Sequence, residues 1–235
     1  MPARSDLPKK STPWLAGLQA ARANFFPALL IQALMLILLI SYYHYPPTTA
    51  WLNNLAAVKS EWGYRYSALA ALIAGGIIPE AMRVIVFQKG RPERKNLHNL
   101  IFTIPFWSSM GVLVDSFYRF QAHIFGSEAT FSVVLTKVII DQFVFSTIIS
   151  TPLTCWLYDW KNNHYRLSGT RHFFTLDYLR EVCIPVIFAN WGVWIPIITI
   201  IYSLPDLLQI PLFALALSLW VILYTWISEQ RKVGG

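Results

Sequence analysis

The chain has 235 residues, of which 55% are hydrophobic and 13% charged, against roughly half and about a quarter in soluble domains. With a mean hydropathy of +0.46 and ten Trp, eleven Tyr and fifteen Phe, an ordinary soluble enzyme is excluded and an all-α, polytopic transmembrane bundle is predicted. The net charge of +7 leaves too few charged side chains for a basic soluble face, so no nucleic acid is expected as a partner and the charge is read as membrane topology.

Residues 1–24 read as a cytoplasmic tail, with Arg4, Lys9, Lys10 and Arg22 against Asp6; an organellar transit signal has the same basic bias. The first apolar run, 25–43, is about twice as long as a signal-peptide core and ends in SYYHY rather than a small-residue cleavage site, so it is read as a retained span. Further runs near 67–88, 99–121, 131–153, 183–203 and 210–228 match the ~20 helical residues that cross ~30 Å of hydrocarbon. The last two are separated only by the break at Pro205 and Asp206, a tight turn between antiparallel spans. Residues 25–228 thus form one transmembrane domain of six spans, followed by a tail at 229–235. The longest connections, 44–66 and 154–182, are too short for a soluble domain, and Trp156, Tyr158 and Trp160 beside Lys161 are expected at the headgroup level.

Lys and Arg alternate along these connections. Four precede the first span; then come Lys59 and Arg65, next Lys89, Arg91, Arg94 and Lys95, then none, then Lys161, Arg166, Arg171 and Arg180, none again, and finally Arg231 and Lys232. One side therefore holds fourteen and the other two, which predicts that both termini are cytoplasmic. Cys155 and Cys183 show no CxxC spacing and the five His no ligand spacing, so neither metal nor cofactor is expected. The absence of GxSxG, HExxH and lipid-phosphate motifs points away from an enzyme.

Inside the spans stand three acids and three bases: Glu80 with Arg83, Asp115 with Arg119, and Lys137 with Asp141. Each pair is three or four residues apart and shares a helix face. Such groups cost a few kcal/mol each near the bilayer centre, so they are expected to be paired and turned inward. Asp115 and Lys137 fall on the order of 9 Å below the outer end, where they can meet across helices, and Asp141 on the order of 15 Å below it. The sextet reads either as a route for a solute, with Gln142, Ser108 and Gly111 as wall groups, or as a salt-bridged core that sets helix register. Pro79, Pro105, Pro152, Pro185, Pro196, Pro205 and Pro211 lie in or at the ends of spans, where a ring removes a donor and kinks the helix. Gly75 and Gly76 suit close helix approach.

These residues resemble the peroxisomal membrane protein family of roughly 22 kDa and its Mpv-type mitochondrial inner-membrane relative. The likeness rests on Lys137 with Asp141 and Gln142, matching K-x-x-x-D-Q, and on Gly111 with Asp115-Ser116-Phe117-Tyr118. It rests also on Asn190, Trp191 and Trp194 with Pro196, resembling W-x-x-W-P, and on Tyr202, Pro205 and Trp220. It covers about 67–228 and leaves the first span as an extension. Departures include the extra Ile195 before Pro196, Ile201 for Asn, Gln209 for Arg, Thr147 for the Pro after D-Q, and Pro79-Glu80 for Gly-Asp. The resemblance implies a weakly selective channel or facilitator for small polar solutes or metabolites, a homo-oligomer without cofactor, in a plasma membrane if bacterial or a mitochondrial or peroxisomal one if eukaryotic. Glu80, Arg83, Asp115, Arg119, Lys137, Asp141 and Gln142 are then the polar route, and Trp191 and Trp194 an aromatic constriction. The other reading is a non-transporting structural or partner-binding bundle.

Overall fold

The structure is a computed structural model describing residue 22, residues 25–166 and residues 170–233. Arg4, Lys9 and Lys10 of the predicted tail, and the side chains of Arg171, Arg231 and Lys232, lie outside the described residues. Among the described residues there are helices and no strand. Numbered in chain order, the helices are α1 (Phe25–His44), α2 (Pro46–Trp62), α3 (Tyr64–Phe87), α4 (Arg94–Phe125), α5 (Phe131–Asn162), α6 (Leu176–Tyr202) and α7 (Asp206–Val233). All but α2 are long and apolar enough to cross a membrane.

The six predicted spans are present, but several run past their apolar stretches. The third begins at Arg94 rather than 99 and the fourth ends at Asn162 rather than 153. Backbone hydrogen bonding carries a helix beyond the point where hydropathy falls, and a capping box between Glu93 and Asn96 starts α4 early. Trp156, Tyr158, Trp160 and Lys161 are therefore helical rather than in a loop. The connection 44–66 also needs correction. It contains the 17-residue helix α2, whose Leu52 and Lys59 are buried, seven residues apart on one face with Leu55 and Ala56 packed beside them.

Of the six charges predicted to turn inward, Glu80, Asp115, Lys137 and Asp141 do, whereas Arg83 is partly exposed and Arg119, near the far end of α4, is exposed while still paired with Asp115. Lys59, Glu80, Asp115, Lys137, Asp141 and Gln142 are buried, whereas Ile85, Ile101, Phe131 and Ile148 are turned outward. The hydroxyl of Tyr43 donates to the Ser203 carbonyl at 2.8 Å and that of Ser127 to Asp206. The end of α1, the α4–α5 connection and the α6–α7 turn therefore share one end of the bundle, the far end below. The end of α3, the start of α4 and the end of α5 meet at the opposite, near end through Glu80, Asn99 and Lys161.

Prolines shape the interior. Pro79, Pro152 and Pro185 each follow, by two residues, the end of a π-helical segment: Ile73–Ile77, Ile140–Ser150 and Leu179–Cys183. A proline ring clashes with the carbonyl four residues back, and a widened preceding turn relieves that clash. Pro196 uses a different remedy. The carbonyl of Gly192, four residues before it, accepts instead from the Gln32 side chain at 3.0 Å, and Val193 O accepts from the same nitrogen at 3.1 Å. In this way α1 is stitched to α6.

The α3 and α4 helices approach most closely at Gly111, where an added Cβ would stand 2.2 Å from the Ser67 carbonyl oxygen. Gly111→Ala is expected to force the two helices apart and cost roughly 1–3 kcal/mol, seen as a lower midpoint in denaturant titration of the purified protein in micelles. Gly75 lies under the Trp107 ring, whose nearest carbon would be 2.3 Å from a Cβ; this contact sets Trp107 into the wall of the cavity described next.

Candidate functional site

A cavity of about 730 Å³ lies inside the bundle, walled by α3 to α7 and by no residue of α1 or α2. Three π-helical stretches, Ile73–Ile77, Arg83–Phe87 and Ile140–Ser150, contribute Gly75, Arg83, Asp141, Gln142, Phe145, Ser146 and Ser150 to its wall. The widened turns that precede Pro79 and Pro152 thus supply part of the cavity wall.

At the near end, Glu80 is 3% exposed and accepts from Arg83, from Asn96 Nδ2 at 2.9 Å and from Asn99 Nδ2 at 3.0 Å. Asn99 in turn accepts from Lys161 Nζ at 2.6 Å, and that ammonium sits 5.4 Å from the centroid of Phe102 and 5.8 Å from that of Tyr158. The predicted Glu80 and Arg83 pair is therefore present, as part of a chain joining α3, α4 and α5. Asn96, Asn99 and Lys161 were not foreseen. The three-residue spacing of the two asparagines, which puts both on one face of the entering helix, is the signal that marks them.

Asp141 lies at the deep end, a third of the way along α5, with Gln142 beside it. Its carboxylate accepts from the Tyr202 hydroxyl at 2.6 Å and from Gln142 Nε2 at 2.8 Å, and Tyr202 accepts from Gln121 Nε2 at 2.5 Å. Tyr118 tilts against Tyr202 with centroids 5.1 Å apart, and Phe117 stacks on Phe145 at 4.0 Å. Beyond this hydrogen-bonded and aromatic layer the far half of the bundle holds no part of the cavity wall contributed by Asp115, Arg119 or Lys137.

The predicted pairing of Lys137 with Asp141, and the alternative meeting of Asp115 with Lys137, are both replaced. Lys137 Nζ is 3.6 Å from Asp206 Oδ1 and 5.6 Å from the Tyr202 ring centroid. Asp206, at the α6–α7 turn, takes Lys137, while Asp141 is held by Tyr202 and Gln142. Asp115 keeps its predicted partner Arg119, at 3.1 Å, but its principal partner is Lys59 of α2. Ser67 completes the group: its hydroxyl donates to Asp115 at 2.6 Å and accepts from Lys59 Nζ at 2.8 Å. Lys59 and Asp115 are each about 2% exposed, and burial pulls the lysine below the ordinary lysine range against the opposing pull of Asp115. Lys59 is thus an interior group rather than one of the two outer-loop bases.

The two tryptophans separate. Trp194 lines the cavity and packs on Phe213 with centroids 5.5 Å apart. Trp191 instead donates its indole N–H to the Gln142 carbonyl at 3.1 Å and packs against Phe143 and Phe188. The predicted constriction therefore reduces to Trp194, joined by Trp107, Phe145 and Trp220 on the wall. Of the other predicted wall groups, Gln142 and Gly111 line the cavity and Ser108 does not. Compared with models of known families, with curated proteins and with solved structures, the chain matches none.

Proposed function

We propose that this multi-pass membrane protein is a channel or facilitator for small polar solutes, caught with its far half closed. The observation that carries the reading is the 730 Å³ cavity, which runs from Arg83 and Lys161 at the near end to Asp141 within the bundle. Its volume falls within the roughly 300–1,000 Å³ of small-molecule sites. The distribution of Lys and Arg supports a cytoplasmic near end. The absence of α1 from the wall is in keeping with the resemblance described above, in which the first span is an extension of a family-like core. The far cluster of Lys59, Asp115 and Arg119 lies off the cavity and supports a register-setting role for those three residues only.

Reconstituted in sealed lipid vesicles, the protein is expected to release entrapped small solutes. Ser146→Trp, which places an indole in the cavity beside Asn190, is expected to lower that release by about tenfold or more, a barrier increase of about 1.4 kcal/mol or more, without changing helix content. Vesicles that remain sealed under every gradient, or release that ignores the indole, would overturn the proposal. Asp141→Asn is expected to change the ratio of cation to anion passage, measured as a shift in reversal potential across a planar bilayer.

A further inference from the structure

The charged groups at the near end of the cavity have polar partners: Glu80 has Arg83 and two asparagine amides, and Lys161 has Asn99. One turn further in, the Thr103 hydroxyl on the wall is buried without a hydrogen-bond partner among the described residues. The charge at the deep end lacks an ionic partner among those residues. Asp141 is 4% exposed and forms part of the wall, yet among the described residues no cation stands within ion-pair distance of it. Its two hydrogen bonds come from neutral donors, Tyr202 and Gln142, and each carboxylate oxygen keeps lone-pair capacity.

Beside it, Gln142 Oε1 is a buried acceptor without a hydrogen-bond partner. The orientation of that amide follows from its neighbour, because the nitrogen must face the carboxylate. A buried carboxylate and an unsatisfied amide carbonyl, adjacent in the chain, make an acceptor pair that costs free energy unless a donor meets it. The surrounding wall is aromatic: Tyr118, Phe145, Trp194 and Phe213 all contribute. Ring faces carry partial negative charge and favour a cation over an anion.

From this arrangement we infer that the deep end of the cavity is a binding site for a small organic ammonium, a primary or secondary amine attached to an apolar or aromatic body. The ammonium N–H groups meet the Asp141 carboxylate, the charge is opposed by that carboxylate and the ring faces, and the apolar body occupies the space between Trp107, Met110 and Leu217. The inference rests on the reading of the cavity as a solute site and names the class of solute it selects. An organic anion would find its counter-charge only at the near end, at Lys161 and Arg83, and would have to place its body away from Asp141.

The test uses the full chain in lipid nanodiscs and three probes of one size: 2-phenylethylamine, 2-phenylethanol and phenylacetate, with binding read by isothermal titration calorimetry. The amine is expected to bind at least about tenfold more tightly than the alcohol, the step corresponding to about 1.4 kcal/mol, and phenylacetate most weakly. Asp141→Asn is expected to erase the amine preference while leaving the alcohol's affinity within about twofold, an outcome that general loss of structure would not produce. Equal binding of amine and alcohol by the unaltered protein overturns the inference without any variant, so it stays falsifiable if Asp141→Asn does not fold. A preference for phenylacetate overturns it as well and moves the site to Lys161. Solute release from vesicles together with equal amine and alcohol binding refutes the ammonium site alone. Selective amine binding by a protein that leaves vesicles sealed refutes the facilitator alone.

Discussion

Lys59→Met is expected to destabilise the bundle by about 3–5 kcal/mol, the range for breaking a buried ion pair from one side. The size of the effect follows from what is left behind. Asp115 would remain about 2% exposed with Ser67 as its buried donor and the half-exposed Arg119 as its one remaining ionic partner among the described residues. Asp115→Leu alone should be comparably costly, because it strands the Lys59 ammonium among Ser67 and the Gly63 carbonyl. The double variant should recover most of the loss, since two apolar side chains of similar volume need no counter-charge. Denaturant midpoints of the four proteins in micelles, followed by far-UV circular dichroism, form a double-mutant cycle. Strictly additive single effects would show that Lys59 and Asp115 are not coupled.

Tyr202→Phe is expected to be the second most damaging single change and to alter function as well as stability. One hydroxyl serves both Gln121 and Asp141. Its loss leaves the Gln121 amide without its acceptor and the Asp141 carboxylate with Gln142 as its remaining donor, each orphan costing about 1–3 kcal/mol. The same hydroxyl joins α4, α5 and α6 where the cavity ends. If that layer is the closed gate of a facilitator, the variant should release solute from vesicles faster than the unaltered protein. Ser218→Ala, whose hydroxyl bonds only to its own helix at Ala214, should leave release unchanged. Equal release by Tyr202→Phe and the unaltered protein would separate the Tyr202 layer from any gate.

Much of the architecture was legible because it depends on quantities that accumulate along the chain. Twenty apolar residues in succession identify a span whatever surrounds them. Charges at i and i+3, or i and i+4, identify pairs such as Glu80 with Arg83 and Asp115 with Arg119 as long as the helix keeps 3.6 residues per turn. The same rule failed at Lys137 and Asp141 because each meets a group brought in by another part of the fold, Asp206 for Lys137 and Tyr202 for Asp141.

Lys59 failed for a different reason. In a connection between two apolar runs it reads as a solvated base, and only the fold brings α2 against the bundle so that this lysine reaches an aspartate 56 positions away. Lys161, Asn99 and Tyr202 belong to the same class. Each is an ordinary residue whose role comes from a partner on another helix.

By itself, then, the sequence determined that this is a helical chain with six apolar spans, and that the acids within them, Glu80, Asp115 and Asp141, are buried, because hydropathy and desolvation are local costs summed over neighbours. The tertiary structure decided which partners those groups meet, that Trp194 rather than Trp191 lines the cavity, and that Asp141 ends beside that cavity without a cationic partner among the described residues. Partner choice depends on which helices the fold packs together, and a group on another helix, such as Lys59 for Asp115 or Tyr202 for Asp141, is not visible in local spacing.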